Sequence, residues 1–210
     1  SRGRQMKILV TGGAGYVGST LIRQLLEQGH HVRVMDNLMC GGDQILPYFR
    51  NDRFDFQKGD IRSLEEVKTA VKGMDVIVHL AAIAGYADCR VQPHLAEDTN
   101  VNGTKNIIMA SSDDQLILFA STESIYENTE GVCTEETPQN SLSFYGKTKA
   151  LAEKMLLEER NTIAYRFAAG FGISLGRAGN VDRIDVICGL RGCVKFCCQG
   201  SPSPSFCLYL

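Results

Sequence analysis

Ile8-Leu9-Val10-Thr11-Gly12-Gly13-Ala14-Gly15-Tyr16-Val17-Gly18 is the stretch from which the rest of the chain can be read. A short apolar, β-branched run that ends in a glycine cluster predicts a strand feeding a tight turn. From Ser19 to Gln28, the apolar residues Leu21, Ile22, Leu25 and Leu26 recur at helical spacing. Strand, glycine turn and helix form the first half of a βαβ unit. Its glycines let backbone approach a pyrophosphate, and the helix N-terminus offers that anion N–H groups and a positive dipole end. The expected contacts are Gly12, Gly15, Tyr16, Val17 and Gly18. The alternative, a glycine-rich turn with no ligand, fits poorly with the residues that follow.

The 210 residues suffice for one domain with a substantial core, or one domain and part of a second. Hydrophobic content of 44% and charged content of 22% are ordinary for a globular protein. A net charge of −2 gives no reason to expect nucleic acid or an anionic membrane as partner. No apolar run approaches the length of a bilayer span. Ser1 to Gln5 are basic and run straight into the first strand, so they read as an extension before Met6 and not as a signal peptide. A cytoplasmic protein is expected. Of eight cysteines, Cys188, Cys193, Cys197, Cys198 and Cys207 crowd the last stretch, without C-x-x-C pairs or histidine. Structural zinc sites favour closely spaced ligand pairs, so no metal site is expected.

Further strands are predicted at Val32–Met35, Phe54–Gln57, Asp75–His79, Leu116–Ala120 and Thr162–Arg166. Asp36, at the end of the second strand and about twenty residues past the glycine turn, is placed to accept hydrogen bonds from a ribose, with Asn37 beside it. Its charge would repel a 2′-phosphate, which favours NAD over NADP. Ser63, with Glu66 three residues on, reads as a capped helix start. Leu80, Ala81 and Ala82 are small enough to line a nicotinamide, whereas His79 reads as a satisfied structural histidine at a buried strand end. A long helix is predicted from Pro93 through Ala110. Asn100 inside it is unfavourable on propensity, which implies a buried hydrogen bond to the neighbouring strand.

The chemistry sits after the fifth strand. Tyr145 and Lys149 are four apart at the start of a helix through Leu157, so their side chains share a face. A lysine ammonium beside a phenol is expected to lower the phenol's pKa, so that Tyr145 exchanges a proton near neutrality. Y-x-x-x-K alone is common on solvated helices. Here it follows both a glycine turn and a strand-end Ser121-Thr122 segment, and Ser121 should point away from Thr122 in extended backbone.

From about Met6 to about Ser174 the chain resembles the extended short-chain dehydrogenase/reductases, in their nucleotide-sugar epimerase/dehydratase group. The resemblance is carried by T-G-G-x-G-x-x-G at Thr11–Gly18, N-V-x-G-T at Asn100–Thr104, Y-x-x-x-K at Tyr145–Lys149 and the stretch Arg166–Gly172. It implies an α/β, doubly wound parallel sheet of the Rossmann type. It also implies NAD as cofactor and a UDP- or dTDP-hexose as substrate, with a homodimer formed through the helices at 93–110 and 145–159. Asp60 and Ile61 would contact the adenine, Asn100 would belong to the cofactor site, and Lys149 would hold the nicotinamide ribose. Thr122 would steady the reacting alcohol. Hydride would pass to NAD while Tyr145 removes the hydroxyl proton, giving a keto-sugar.

Dehydratases of the group carry Thr-Asp-Glu or Thr-Ser-Glu, where this chain has Thr122-Glu123-Ser124. A serine is no base at neutral pH, so an epimerase is favoured, with a 4,6-dehydratase using Glu123 as the alternative. Cys89 stands where the family commonly has Ser, and Glu127 where Gly usually follows the tyrosine. Residues 1–174 read as the NAD-binding domain and 175–210 as a divergent, cysteine-rich remnant of a substrate domain that is truncated or absent. That tail keeps open a reading of another class, a non-catalytic NAD-binding fragment or interaction module.

Overall fold

The computed structural model describes residues 4–131 and 133–167. The tail at 175–210, its five cysteines and most of the Arg166–Gly172 match lie outside the described residues. Six strands, β1 (Lys7–Thr11), β2 (His31–Asp36), β3 (Phe54–Lys58), β4 (Val76–His79), β5 (Leu116–Thr122) and β6 (Thr162–Phe167), form one sheet in the order β3-β2-β1-β4-β5-β6. Every pair is parallel. Both faces of such a sheet must be covered, and the alternation along each strand shows how. Ile8, Val10, Val32, Val34, Val76 and Val78 point to the face where Ile22 and Leu26 of α1 (Tyr16–Glu27) pack. Leu9, Met35, Ile77, Ile117 and Phe119 point to the other. There they meet α2 (Leu64–Val71), α5 (Gly103–Ala110) and α6 (Phe144–Glu159).

The chain departs from β1 toward β2 on one side and reaches β4 on the other. The strand order therefore reverses between β1 and β4, and a crevice opens at their carboxyl ends. His79 closes the floor of this crevice: its ring nitrogens bond Thr11 Oγ1 at 2.8 Å and Thr104 Oγ1 at 3.0 Å. Burial, with Lys149 nearby, pulls its pKa down to about 3. It is a neutral structural histidine, as its place at the end of an apolar strand predicts.

Three local expectations need correction. The helix from Pro93 to Ala110 is not uniform: α4 (Pro93–Glu97) passes through a π turn at Asp98–Asn102 before α5. The Thr104 hydroxyl donates to the Asn100 carbonyl at 2.7 Å, a side-chain bond across this turn. Ser63 occupies the N-cap of α2 without capping through its side chain. Glu66 instead turns outward to accept from the Asp60 N–H at 2.7 Å. Finally, two short elements have no counterpart among the sequence expectations, α3 (Tyr86–Val91) and a 3₁₀ segment at Asp43–Arg50 with Pro47 inside it. Among the described residues no helix is long and apolar enough to cross a membrane.

Candidate active site

The glycine turn is built for close backbone contact. Gly12 takes φ of 70°, and a Cβ there would lie 2.7 Å from the Ala81 backbone. A Cβ on Gly18 would meet Gly13 Cα at 2.5 Å. The turn thus presses on α1 and on Leu80-Ala81 after β4, whose N–H groups bond back to Thr11 at 3.1 and 3.3 Å. The outward side of Gly15 meets only the Gly12 carbonyl, at 3.1 Å. α1 begins at Tyr16 with no side-chain cap and no acidic residue in its first turn. An anion is what such an end accepts.

Asp36 turns its carboxylate into this turn. It accepts from Ala14 N at 2.9 Å and Leu38 N at 2.8 Å. Burial pushes its pKa up, and those two bonds oppose the shift. Each carboxylate oxygen keeps a further lone pair for a ribose hydroxyl. Asn37 bonds Asp60 at 3.1 Å, and Arg62 grips Asp60 through two nitrogens at 3.0 and 2.8 Å. The Arg62 bond, above all, holds Asp60 down at about 2. Ile61 turns its side chain inward beneath Gly103, where a Cβ would strike it at 2.6 Å. Only its backbone is left to face an adenine.

Asn100 is committed to the protein. Its Oδ1 accepts from Ile83 N at 2.8 Å, and its Nδ2 donates to Ile83 O at 3.0 Å and Thr148 Oγ1 at 3.1 Å. The bonds run to the loop after β4 and to α6 rather than to a strand. They fix the loop that includes Leu80, Ala81 and Ala82. Cys89 adds to the same fixture, its thiol donating to the Ile83 carbonyl at 3.3 Å.

The structure brings Thr122, Glu123, Tyr145 and Lys149 together above the ends of β4 and β5. The Thr122 hydroxyl lies close enough to Tyr145 to oppose the rise of its pKa, and it donates to Glu123 Oε2 at 3.3 Å. Burial pushes the Glu123 carboxyl up. The expected effect of Lys149 on the phenol is not found. Burial drives Tyr145 up to about 12, and the Glu123 charge pushes the same way against the Thr122 hydroxyl. Lys149 is 3% exposed, and burial brings it down to about 7. Its ammonium lies 4.1 Å from the centroid of Phe119. Among the described residues it has no hydrogen-bond acceptor and no ion-pair partner. A buried ammonium of this kind suits a polar ligand group brought in from the crevice.

Sequence reasoning missed what supports these groups. Ser121 points away from the crevice, as extended backbone requires, and donates to Glu153. Glu153 is fully buried and pairs with Arg166 at 2.6 Å. The signal was present, since Glu153 continues the four-residue spacing of Tyr145 and Lys149 along α6.

Residues 8–173 match the family described as "NAD dependent epimerase/dehydratase family". The chain is 31% identical over 164 residues to UDP-glucose 4-epimerase 3 of Oryza sativa subsp. japonica, covering 72% of this chain and 44% of that protein. Among solved structures it resembles the UDP-Glc/GlcNAc 4-epimerase of Campylobacter jejuni, with TM-score 0.69 and 31% identity over 73% of this chain and 49% of that one. It also resembles the Bordetella bronchiseptica enzyme WbmG in complex with NAD and UDP, with TM-score 0.73 and 27% identity over 83% and 57%. The chain spans about half the length of the curated relatives it matches.

Proposed function

Because the chain belongs to the NAD-dependent epimerase/dehydratase family, we propose that it is a nucleotide-sugar epimerase working through a transient keto-sugar. The observation that carries this reading is the approach of the Thr122 and Tyr145 side chains, one helical turn from a buried ammonium that has no hydrogen-bond acceptor or ion-pair partner among the described residues. The cofactor is NAD. Bound, it supplies a hydride acceptor and, once reduced, the donor that returns the hydride. Gly12, Gly15, Tyr16, Val17 and Gly18 cradle its pyrophosphate, Asp36 takes the adenosine ribose, and Lys149 offers its ammonium to the nicotinamide ribose.

Thr122 orients the sugar hydroxyl toward Tyr145, whose phenolate would take the proton and later give it back. With the phenol at about 12 in the chain alone, the positive charges of Lys149 and of the bound cofactor would have to bring it down. Return of hydride to the opposite face needs no second protein base. The substrate is a UDP- or dTDP-hexose, in keeping with relatives named for UDP-glucose. A homodimer through the long helices fits the exposed Met109, Leu151 and Leu157.

One observation favours a second reading. Glu123 is half-buried at Thr122, and its raised pKa suits a proton donor in a 4,6-dehydration. The test is incubation of the purified chain with NAD and UDP- or dTDP-hexoses, followed by proton NMR of the sugar ring. A new epimer supports the proposal. A 4-keto-6-deoxy product replaces it with dehydration. Unchanged sugars with NAD still bound replace it with a non-catalytic NAD-binding protein.

A further inference from the structure

Glu127 departs from the family pattern and touches none of the reacting groups, yet its carboxylate is one of the most heavily bonded in the chain. It accepts from Leu142 N at 2.9 Å, Ser143 N at 2.6 Å and Ser143 Oγ at 2.6 Å. Ser143 is the N-cap of α6, and its Oγ in turn accepts from Gly146 N at 3.0 Å. A serine hydroxyl has one proton to give. By taking that proton, Glu127 turns the oxygen's lone pairs toward the helix. The first turn of α6 also rests on the backbone of the same segment, since a Cβ on Gly146 would come within 2.7 Å of the Ser124 carbonyl.

The two elements joined here carry the two halves of the hydroxyl pair. Thr122 begins the segment that ends at Glu127, and Tyr145 lies in the first turn of α6. We infer that Glu127 is a positioning residue: by clamping the α6 cap to the segment after β5, it sets the distance between the Thr122 and Tyr145 hydroxyls. The clamp is charge-assisted, and such bonds are short and roughly twice as strong as neutral ones. Burial alone would push the carboxyl up, but the bonds from Ser143 and Leu142 outweigh it and hold it below the usual glutamate range. The inference rests on the proposed function only in calling Tyr145 the reacting phenol.

The test uses the full chain labelled with 3-fluorotyrosine, with the resonance of Tyr145 among the seven tyrosines assigned by Tyr145→Phe. Glu127→Gln should move the Tyr145 resonance by more than its linewidth while leaving that of Tyr48, on the far side of the sheet, in place. Ser143→Ala should move it the same way, Ser143→Thr should restore it, and the Glu127→Gln/Ser143→Ala pair should move it no further than either change alone. The Ser143 pair carries the test should Glu127→Gln fail to fold. An unmoved Tyr145 resonance would overturn the inference, even with lowered thermal stability. Because the readout needs neither NAD nor sugar, its failure is distinct from failure of the proposed activity.

Discussion

Replacing Lys149 with methionine should make the protein more stable at neutral pH. Bringing a lysine from 10.5 down to about 7 corresponds to about 4–5 kcal/mol at ~1.4 kcal/mol per pH unit. The Phe119 ring at 4.1 Å returns about 1–2 kcal/mol to the charged form. Methionine fills a similar volume, so Lys149→Met should gain about 2–3 kcal/mol at pH 7. The sign of the pH dependence is fixed. Between about 7 and 10.5 the unfolded chain holds a proton that the folded chain has released, so wild-type stability rises with pH through this group. Below about 7 the full cost remains. Methionine has no such slope, and the gap between the two proteins should therefore narrow as pH approaches 10. Urea unfolding of both at pH 7, 8, 9 and 10, at fixed ionic strength, measures this by linear extrapolation. A variant less stable than wild type at pH 7, or a gap that does not narrow with pH, would refute the reasoning. The same variant should bind NAD at least tenfold more weakly, as the proposed contact of the buried ammonium with the nicotinamide ribose requires.

Gly18→Ala places a methyl 2.5 Å from Gly13 Cα and 2.8 Å from the Gly12 carbonyl. Backbone cannot yield there, so a loss of about 1–3 kcal/mol and loss of NAD binding by calorimetric titration are expected. Asp36→Asn removes the charge proposed to face the adenosine ribose and leaves one acceptor for two backbone N–H groups. The preference for NAD over NADP should fall at least tenfold in the same titration. Glu123→Gln should leave epimerisation within a few-fold of wild type by sugar NMR, because only Tyr145 is asked to move a proton. Loss of epimerisation would make Glu123 a participant in the reaction.

The fold was legible because each strand's residues do two jobs at once. Ile8 and Val10 face α1 while Leu9 faces α5 and α6, so a strand covered on both sides shows as an unbroken apolar run. The glycine turn and the Tyr145–Lys149 spacing were legible for a similar reason: both are local, and their geometry follows from the chain's own period. What could not be read was how burial alters a charge. The spacing of Tyr145 and Lys149 puts them on one face, but the desolvation that carries the phenol up to about 12 and the ammonium down to about 7 comes from burial in the folded chain, which spacing does not report. The π turn and the Glu127 clamp escaped for the same reason. Asn100 bonds Thr148, and Glu127 bonds Ser143, across separations that no local pattern encodes.

The arrangement of carboxylates weighs on which reaction the site runs. Dehydration asks for two protein groups near the sugar, one to give a proton to the departing hydroxyl and one to take a proton from carbon. Three glutamates surround the Thr122–Tyr145 pair, but two are already engaged. Glu153 lies behind the sheet end, bound to Ser121 and Arg166. Glu127 is held by the α6 cap, and the bonds that hold its pKa down make it a poor base. Ser124 offers no replacement, because a serine hydroxyl is no base at neutral pH and its N–H is spent on Thr122 Oγ1. Glu123 alone addresses the crevice. One carboxyl and one phenol can run a reaction whose only protein-borne proton transfer is at a hydroxyl, which is what epimerisation through a keto-sugar requires.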